Sequence, residues 1–384
     1  MSKQTVAVIF GSRSAEHDVS IITALAGIIK PLELTKKYEV VPVYIAKDGR
    51  WFSHPLLKDI AIFTSGKIEQ LMAREKPVAL QFDGGLTLLK PGLKNQKIKI
   101  DIVFPATHGT HGEDGELMGL LELANVPYVG CDMSSSVLAM DKVLAKIMAA
   151  EAGVLTSKYH WFYAKDFADN RGKILKRLEG LSYPLFVKPP HLGSSIGITK
   201  VKNQTELQNA IEVAAHYDDK VLVEEAVPNL LEVTVPIMGN DSPRPAFVEQ
   251  PLTTAEDFFD FDTKYMQGGK KGKNAKQGTQ GYSQLPADLP SSLYKTAEET
   301  ALKVYKALGC SGIARIDLLI DGKTNKIYFN EVNPLPGSLY AHNWRAAGVS
   351  SVQLVEDLID FAKERHTQKQ KLATVFDTNY LKQF

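Results

Sequence analysis

Residues 313–333 read I-A-R-I-D-L-L-I-D-G-K-T-N-K-I-Y-F-N-E-V-N and contain two strand-like runs joined by the turn D-G-K-T-N. In a strand, residues two apart point to the same face. Arg315 therefore shares a face with Asp317, and Glu331 shares a face with Asn333. We expect the two runs to form a β-hairpin with these polar side chains on its surface.

The position of the turn predicts how the two strands pair. If the turn pivots near Lys323, residue 315 lies opposite 331 and residue 317 lies opposite 329, so that all four polar groups meet on one face. Two carboxylates, an amide oxygen and a guanidinium suit a Mg²⁺ site beside a polyphosphate. A solvated hairpin face with an ordinary ion pair is the alternative that these residues alone leave open.

The composition is that of an ordinary soluble globular protein. The chain has 384 residues, 44% of them hydrophobic, and its 45 basic residues nearly balance 44 acidic ones. This length predicts roughly two to three domains, and the balanced charge does not indicate a nucleic-acid partner. We find no signal peptide and no apolar run of about 18 residues, so we expect a cytoplasmic protein without a membrane partner. Cys131 and Cys310 lie in apolar sequence and are expected to be buried thiols.

The first third of the chain alternates short β-branched runs with helical patterns. The runs T-V-A-V-I-F, V-V-P-V-Y-I-A and D-I-V-F-P-A read as strands, and E-L-M-G-L-L-E-L-A reads as a helix. This alternation is typical of βαβ units around a mostly parallel sheet. We therefore predict a Rossmann-like N-terminal domain over residues 1–133.

The remaining sequence predicts two further domains, so that the fold class is α/β together with α+β. Residues 134–153 read as one helix, which opens a central domain over residues 134–222. A C-terminal domain over residues 223–384 contains the hairpin. Within it, residues 257–285 are rich in Gly, Lys, Gln and Asn. So long a segment without a pattern of its own is typical of a lid over a binding site or of a disordered linker.

A loop of small residues follows a predicted strand in V-K-P-P-H-L-G-S-S-I-G, residues 187–197. Glycine and serine let backbone N–H groups approach phosphate oxygens, and Lys188 at the strand end adds positive charge. The loop matches neither the Walker pattern nor the Rossmann glycine pattern. A phosphate-binding loop and a simple tight turn both remain open.

Acidic residues at other strand ends and helix starts are further candidates. Glu224 and Glu225 end the run V-L-V-E-E and would face an adenine amino group, with Glu232 near a ribose hydroxyl, although solvent exposure is the commoner role of such residues. Glu16 stands at a predicted helix start, where a carboxylate also serves as a cap. His108 lies in H-G-T-H-G-E-D-G after a strand, where open α/β sheets bind ligands.

Taken together, and in their order along the chain, the motifs resemble those of the D-alanine:D-alanine ligases of the ATP-grasp superfamily. The resemblance extends from about Val6 to Ala362. The segments that carry the resemblance are S-A-E-H-D-V-S, H-G-T-H-G-E-D-G, Y-V-G-C-D-M-S-S-S-V-L-A-M-D-K, V-K-P-P-H-L-G-S-S-I-G, F-D-F-D-T-K-Y, A-R-I-D and N-E-V-N-P-L-P-G. The resemblance implies a three-domain ATP-grasp fold and the ATP-dependent joining of two D-alanines through an acylphosphate, for peptidoglycan precursors. It also implies two Mg²⁺ ions, with Mn²⁺ as an alternative, and a homodimer.

The resemblance also implies roles for individual residues. Those that would bind ATP are Lys142, Lys188, Ser195, Glu224, Glu225, Val227, Glu232 and, from the lid, Lys264. Those that would bind the metal ions are Asp317, Glu331 and Asn333. Those that would form a hydrogen-bonded triad latching the lid over the first substrate are Glu16, Ser194 and Tyr265. Those that would stabilise the oxyanion are Arg315 and the backbone N–H of Gly337. Those that would line the two D-alanine sites are His108, Ser338 and His342.

One departure from the family concerns the acceptor substrate. The family usually has a serine five residues after the glycine of its N-x-x-P-G motif, and this chain has His342 there. Ser338 would substitute for that serine, or His342 would bind the acceptor carboxylate, or the acceptor would be D-lactate, D-serine or another amine. A nucleotide-binding regulator without turnover is a further alternative, which the retained lysines and metal-binding residues disfavour.

Overall fold

The computed structural model of the protein describes residues 3–92, 95–252 and 283–384. Its strands are, in chain order, β1 (Gln4–Gly11), β2 (Tyr38–Ile45), β3 (Trp51–Phe52), β4 (Ala79–Phe82), β5 (Leu86–Lys90), β6 (Gln96–Ile100), β7 (Ile102–Pro105), β8 (Tyr159–Tyr163), β9 (Leu185–Lys188), β10 (Thr199–Val201), β11 (Lys220–Glu225), β12 (Leu230–Met238), β13 (Arg244–Pro245), β14 (Gln250–Pro251), β15 (Ser283–Gln284), β16 (Ile313–Asp321) and β17 (Lys326–Asn333). Its α-helices are α1 (His17–Ile22), α2 (Lys30–Thr35), α3 (Ile60–Thr64), α4 (Lys67–Arg74), α5 (Glu116–Leu123), α6 (Met133–Met140), α7 (Lys142–Glu151), α8 (Ala164–Asp169), α9 (Arg171–Leu178), α10 (Gln204–Tyr217), α11 (Ser291–Ala307), α12 (Ala341–Ala346) and α13 (Ser351–Lys369). A π-helix spans Thr23–Ile29, and 3₁₀ helices span Pro55–Lys58, Gly337–Tyr340 and Tyr380–Gln383.

The N-terminal sheet has the strand order β3-β2-β1-β7, and β1 pairs in parallel with both β2 and β7. Six successive residues of β1 are buried, as expected for a parallel strand covered on both faces. The helical segment of residues 17–35 crosses from β1 to β2. The predicted Rossmann-like arrangement is therefore confirmed. The antiparallel meander β4-β5-β6 packs on the same core and was not predicted.

The second and third sheets are antiparallel and carry the nucleotide and metal candidates. The order β10-β9-β11-β8 forms the sheet that contains Lys188, and α8, α9 and α10 cover it. The order β13-β12-β16-β17 forms the sheet that contains the hairpin, and α7 and α11 pack against it. Antiparallel sheets with helices on one face confirm the α+β part of the predicted class.

The predicted single helix over residues 134–153 is wrong, because the chain breaks at Asp141 into α6 and α7. Asp141 has an extended backbone (φ −77°, ψ 102°), and its Oδ1 accepts hydrogen bonds from the N–H groups of Val143 at 2.8 Å and Leu144 at 3.2 Å. This is the geometry of a helix N-cap. The break places Lys142 at the first position of α7. Gly153 follows α7 with a left-handed backbone (φ +76°), as a helix-ending glycine does.

The last two helices share a core with the N-terminal sheet. Trp344 of α12 and Leu358 of α13 are fully buried and belong to the same apolar cluster as Phe10 and Ile28. The C-terminal part of the chain is thereby held against the N-terminal part. Cys131 and Cys310 are both buried free thiols, as predicted. Among the described residues, no helix is both long enough and apolar enough to cross a bilayer.

Candidate active site

The hairpin β16–β17 brings its four polar side chains to one face, as the sequence predicts, but in a different register. Arg315 lies opposite Asn333, and Asp317 lies opposite Glu331. The predicted pairs, 315 with 331 and 317 with 329, are wrong. The pair that follows Asp317–Glu331 is Leu318–Phe329, so that residue 330 is left without a partner in a β-bulge.

The bulge at Asn330 decides which side chains share the face. Opposite residues in an antiparallel pair lie on the same side of the sheet, and a slip of one residue moves a strand's side chains to the other side. Without the extra residue, Glu331 would therefore lie on the face away from Asp317. The Asn330 side chain is buried, and its Oδ1 accepts a hydrogen bond from Lys188 Nζ at 3.2 Å. Bulges are common beside active sites for this reason.

Asp317 is the centre of the hydrogen bonds on this face. Arg315 donates to it through Nε at 2.9 Å and through Nη2 at 2.7 Å. Thr234 Oγ1 donates to Asp317 Oδ1 at 2.8 Å, and Asn333 Nδ2 donates to Oδ2 at 3.3 Å. Burial opposes the charge of Arg315, but the Asp317 carboxylate raises the pKa of Arg315 above its ordinary value. The carboxylates of Asp317 and Glu331 and the amide of Asn333 fit a hard divalent cation.

Lys142 connects the hairpin to the glycine- and serine-rich loop. Its side chain is buried, its Nζ donates to the backbone oxygen of Leu192 at 2.7 Å, and Nζ lies 3.2 Å from Glu331 Oε2. Its backbone N–H donates to Pro190 O at 3.3 Å. Lys142 thus touches both the backbone of the glycine- and serine-rich loop and a candidate metal-binding carboxylate, and a lysine in such a position suits a nucleotide phosphate beside a cation.

Lys188 and Glu224 form a buried ion pair between neighbouring strands. Lys188 Nζ lies 2.5 Å from Glu224 Oε1, and Ser157 Oγ donates to Glu224 Oε2 at 2.5 Å. Burial alone would raise the pKa of Glu224, but nearby lysine ammonium groups hold it well below its ordinary value. Burial likewise opposes the charge of Lys188, and Glu224 raises the pKa of Lys188.

A second buried lysine, Lys146, was missed by the sequence reasoning. It is completely buried, and its Nζ lies 2.8 Å from Glu224 Oε2. Helical spacing could have indicated it, because Lys142, Lys146 and Ala149 recur at intervals of four and three residues and so lie on one face of a helix. In the structure all three are buried. That spacing places Lys146 on the face of α7 that packs against the hairpin sheet.

The glycine- and serine-rich loop meets the N-terminal part of the chain at Glu16. Ser194 Oγ donates a hydrogen bond to Glu16 Oε1. A Cβ atom on Gly193 would lie 3.0 Å from Glu16 Oε2, so the loop approaches as closely as glycine allows. Ser194 and Ser195 have left-handed backbones (φ 55° and 60°). Burial and the neighbouring Glu113 carboxylate raise the pKa of Glu16.

Near Glu16, the side chain of His108 and the backbone N–H of Ser338 both contact the hydroxyl group of Thr23. The His108 Nε2 atom lies 2.8 Å from Thr23 Oγ1, and the backbone N–H of Ser338 donates to the same oxygen at 2.9 Å. Glu113 accepts hydrogen bonds from the N–H groups of Gly109 at 2.8 Å and Leu335 at 3.2 Å. Burial disfavours the charged form of His108, but Glu113 raises the pKa of His108. Thr23 and Glu113 are positioning residues that the sequence reasoning missed.

His342 lies at the other end of the turn that starts at Gly337. Its Nε2 atom lies 2.9 Å from Glu249 Oε2, and Asn343 Nδ2 donates to the same carboxylate oxygen at 3.0 Å. The ring of Tyr340 stands 4.5 Å from the His342 ring, and the Arg315 guanidinium lies 5.5 Å from the Tyr340 ring centroid. Tyr340 therefore lies close to both His342 and Arg315.

The remaining predicted residues lie around this centre or outside the described part of the chain. Glu225 ends β11 and its Oε1 accepts a hydrogen bond from Ser182 N at 2.9 Å, while Val227 is buried just after that strand. Glu232 lies on β12 opposite Leu319. A Cβ on Gly337 would meet open space, so its backbone is accessible from that side. The residues of the prediction that fall outside the described residues are Lys264, Tyr265 and nearly all of the lid, 257–285.

Two family models match the chain. The model described as D-ala D-ala ligase N-terminus matches residues 5–131, and the one described as D-ala D-ala ligase C-terminus matches residues 148–360. A D-alanine--D-alanine ligase of Acetivibrio thermocellus is 38% identical over 388 aligned residues, which cover 96% of this chain and 98% of that protein. The sequence similarity thus extends over nearly the whole chain.

Solved structures show the same fold. The D-alanine-D-alanine ligase from Coxiella burnetii has a TM-score of 0.80 at 28% identity and covers 97% of both chains. The VanG D-Ala:D-Ser ligase from Enterococcus faecalis has a TM-score of 0.76 at 33% identity, over 94% of this chain and 100% of that chain. These neighbours confirm the predicted ATP-grasp fold. With two family models covering most of its length and a relative of 38% identity, the chain belongs to the D-alanine:D-alanine ligase family.

Proposed function

We propose that the protein joins two D-alanine molecules into D-alanyl-D-alanine with conversion of ATP to ADP and phosphate, in the synthesis of peptidoglycan precursors. Family membership supports the reaction class, an ATP-dependent ligase. The structural observation that supports it best is the contact between Lys142 and Glu331 at 3.2 Å. It joins a phosphate-binding lysine to a carboxylate suited to a cation, which is the arrangement that phosphoryl transfer from ATP needs.

In this proposal the nucleotide lies between the sheet of β9 and β11 and the hairpin sheet. Lys142, Lys188 and the backbone of Ser195 hold its phosphates. Glu224, Glu225 and Val227 meet the adenine, Glu232 meets the ribose, and Lys264 reaches the γ-phosphate from the lid. Asp317, Glu331 and Asn333 hold two Mg²⁺ ions, with Mn²⁺ as an alternative. The ions would neutralise charge on the transferred phosphoryl group.

The first D-alanine binds where the loop, the N-terminal domain and the turn after the hairpin meet. Glu16 receives its ammonium group, and His108 lies beside it. The carboxylate oxygen attacks the γ-phosphorus, ADP leaves, and an acylphosphate forms. The Glu16–Ser194 hydrogen bond, extended by Tyr265, latches the lid over this intermediate. Exclusion of water matters because an acylphosphate is readily hydrolysed.

The second D-alanine attacks the acylphosphate carbon through its amine. Arg315 and the backbone N–H of Gly337 stabilise the negative oxygen of the tetrahedral intermediate, and phosphate then leaves. Fixed donors of this kind contribute a large share of catalysis in acyl transfer. His342 and Ser338 bind the acceptor. The imidazole is oriented by Glu249, whose buried carboxylate accepts from it.

We extend the proposal to the organisation of the chain. The N-terminal domain is residues 1–133, the central domain 134–222 and the C-terminal domain 223–384, with residues 257–285 as the lid. The protein acts on small molecules in the cytoplasm as a homodimer. Analytical ultracentrifugation tests the dimer, and a sedimentation coefficient that fits one chain at all concentrations contradicts it.

Product analysis tests the function directly. Purified protein with ATP, Mg²⁺ and D-alanine should release phosphate and yield D-alanyl-D-alanine by mass spectrometry, and Glu331→Gln should release at most about a hundredth as much. Phosphate release at background in the wild type contradicts the proposal. D-Lactate and D-serine are then offered in competition with D-alanine as the acceptor. If the product of D-alanine with D-lactate or D-serine exceeded D-alanyl-D-alanine, D-alanine would be rejected as the acceptor. The proposed formation of the acylphosphate would still stand.

A further inference from the structure

Lys146 is completely buried, although no step of the reaction uses it. Its Nζ atom lies 2.8 Å from Glu224 Oε2, 3.3 Å from the backbone oxygen of Phe329 and 3.5 Å from Ser157 Oγ. Burial disfavours the charged form and lowers the pKa of Lys146. An aliphatic side chain of the same length would fill this space without placing a charge in the interior. The ammonium group therefore calls for an electrostatic explanation.

The charges around Glu224 do not balance. This single carboxylate is shared by two ammonium groups, those of Lys146 and Lys188, at 2.8 Å and 2.5 Å. Lys188 also donates a hydrogen bond to the amide oxygen of Asn330, which is neutral. The cluster of Lys146, Lys188 and Glu224, which we call the Glu224 cluster, thus carries one positive charge in excess.

Two further carboxylates among the described residues, Glu331 and Glu232, act on these lysines through their charge. The charge of Glu331 favours the protonated form of both lysines, and Glu331 Oε2 lies 3.2 Å from Lys142 Nζ. Glu232 also acts on Lys188, from a half-buried position on β12. An excess charge in a site of low dielectric attracts an anion strongly. The side of the cluster that faces the proposed nucleotide is the Lys188 side, since Lys188 is 8% exposed and Lys146 is completely buried.

We propose that Lys146 is a positioning residue that neutralises Glu224, and thereby leaves the charge of Lys188 available to attract the phosphates of the nucleotide. Without Lys146, Glu224 and Lys188 would form a neutral pair, and the affinity of the site for phosphate would fall. Lys146 itself does not touch the nucleotide. This inference rests on the proposed binding of ATP and adds to it a residue that acts only through Glu224.

The comparison of ADP with adenosine separates the charge from the fold. Both ligands place adenine and ribose in the same pocket, but only ADP brings phosphates. We expect Lys146→Met to weaken ADP binding at least tenfold, measured by calorimetry at fixed Mg²⁺, and to leave adenosine binding within threefold of the wild type. Lys303→Met, at an exposed position of α11, is the matched control and should change neither. An equal loss for both ligands would mean that Lys146 only supports packing, and would overturn the proposal.

A charge-restoring variant provides the second test. The double variant Lys146→Met with Glu224→Gln has the same net charge in the Glu224 cluster as the wild type. We expect it to recover the wild-type ratio of ADP affinity to adenosine affinity within threefold, and no recovery over Lys146→Met overturns the proposal. Glu224→Gln alone should give a ratio at or above that of the wild type, which tests the idea even if Lys146→Met fails to fold. A wild-type protein that binds neither ligand would overturn the proposed function as well, whereas an unchanged ratio in Lys146→Met overturns this inference alone.

Discussion

Asp317 and Glu331 lie directly opposite each other on β16 and β17, and the unpaired Asn330 brings them to the same face. Two carboxylates side by side repel each other unless positive charge lies close by. Arg315 supplies that charge to Asp317 through two hydrogen bonds, and Lys142 supplies it to Glu331. This arrangement fits the proposed binding of a cation and a polyphosphate together, with a fixed positive group on each side.

Replacing Arg315 with lysine should lower kcat by about 10²-fold or more, as the loss of an oxyanion donor does. Lysine keeps the charge but lacks the planar fork that donates to Asp317 from Nε and Nη2. The KM for ATP should change much less, and steady-state phosphate release measures both quantities. Arg74→Lys, at an exposed position of α4, is the control and should behave as the wild type. A wild-type kcat in Arg315→Lys would show that the guanidinium is not needed.

Gly27→Ala should disturb the turn that carries Ser338. A Cβ at residue 27 would lie 3.3 Å from the Ser338 Cα atom, and the same π-helix carries Thr23, which binds the Ser338 N–H. We expect a loss of about 1–3 kcal/mol in the free energy of unfolding, typical of overpacking, and a raised KM for D-alanine.

The matched control for Gly27→Ala is Gly172→Ala. A Cβ at residue 172 has no neighbour within 4 Å, and the glycine lies in α9. Alanine should stabilise this helix by about 0.5–1 kcal/mol. Urea denaturation measures both variants. If Gly27→Ala were as stable as Gly172→Ala and kept its KM, the close approach of the π-helix to Ser338 would have no consequence.

The His191 network should make stability depend on pH in the alkaline range. Hydrogen bonds to Asp141 and Asp218 raise the pKa of His191 from 6.5 to about 9. A histidine whose pKa is raised on folding stabilises the fold fully below its unfolded pKa, and this stabilisation is lost as the pH rises through the folded value. We therefore expect the melting temperature of the wild type to fall more between pH 7 and about 10 than that of His191→Gln.

The contribution of His191 to the pH dependence of stability should be modest, because its side chain is 42% exposed and solvent screens its charge. The difference in melting temperature between the wild type and His191→Gln separates the contribution of His191 from those of the other groups that titrate in this range. Parallel melting curves against pH for the two proteins would show that the network adds nothing to stability. Because Asp141 also caps α7 ahead of Lys142, we expect the KM for ATP to rise over the same pH range only in the wild type.

Glu249→Gln should weaken binding of the acceptor substrate. The Glu249 carboxylate is buried and orients His342 and Asn343. Hydrogen bonds to a buried charge contribute about 1.5–3 kcal/mol, so we expect the KM for the acceptor D-alanine to rise about tenfold or more. Initial rates over a range of D-alanine concentrations give this value, with the KM for ATP as the internal reference. Glu299→Gln, on the exposed side of α11, should keep both values, and an unchanged acceptor KM in Glu249→Gln would remove His342 from the acceptor site.

Much of the fold follows from local patterns that can be read without coordinates. The apolar run of β1, the asparagine cap at Asn203 ahead of α10 and the two runs of the hairpin all depend on residues close in the chain. The small residues after Lys188 likewise indicate a loop. Asp141 could also have been recognised from the sequence as a helix N-cap, because aspartate is common at that position. The helical pattern on both sides of it concealed this signal.

The sequence by itself determined which polar groups are available and which strands and loops carry them, because alternation, capping and small-residue turns are local. Only the tertiary structure decided that Asn330 bulges out of the ladder, that Glu249 holds His342, and that Lys146 is buried against Glu224. Each of these depends on partners far away in the chain, such as Lys188 and Asn330, which are 142 residues apart. Whether a charge is buried and which group offsets it is settled by the packing of separate sheets, and no local pattern contains that information.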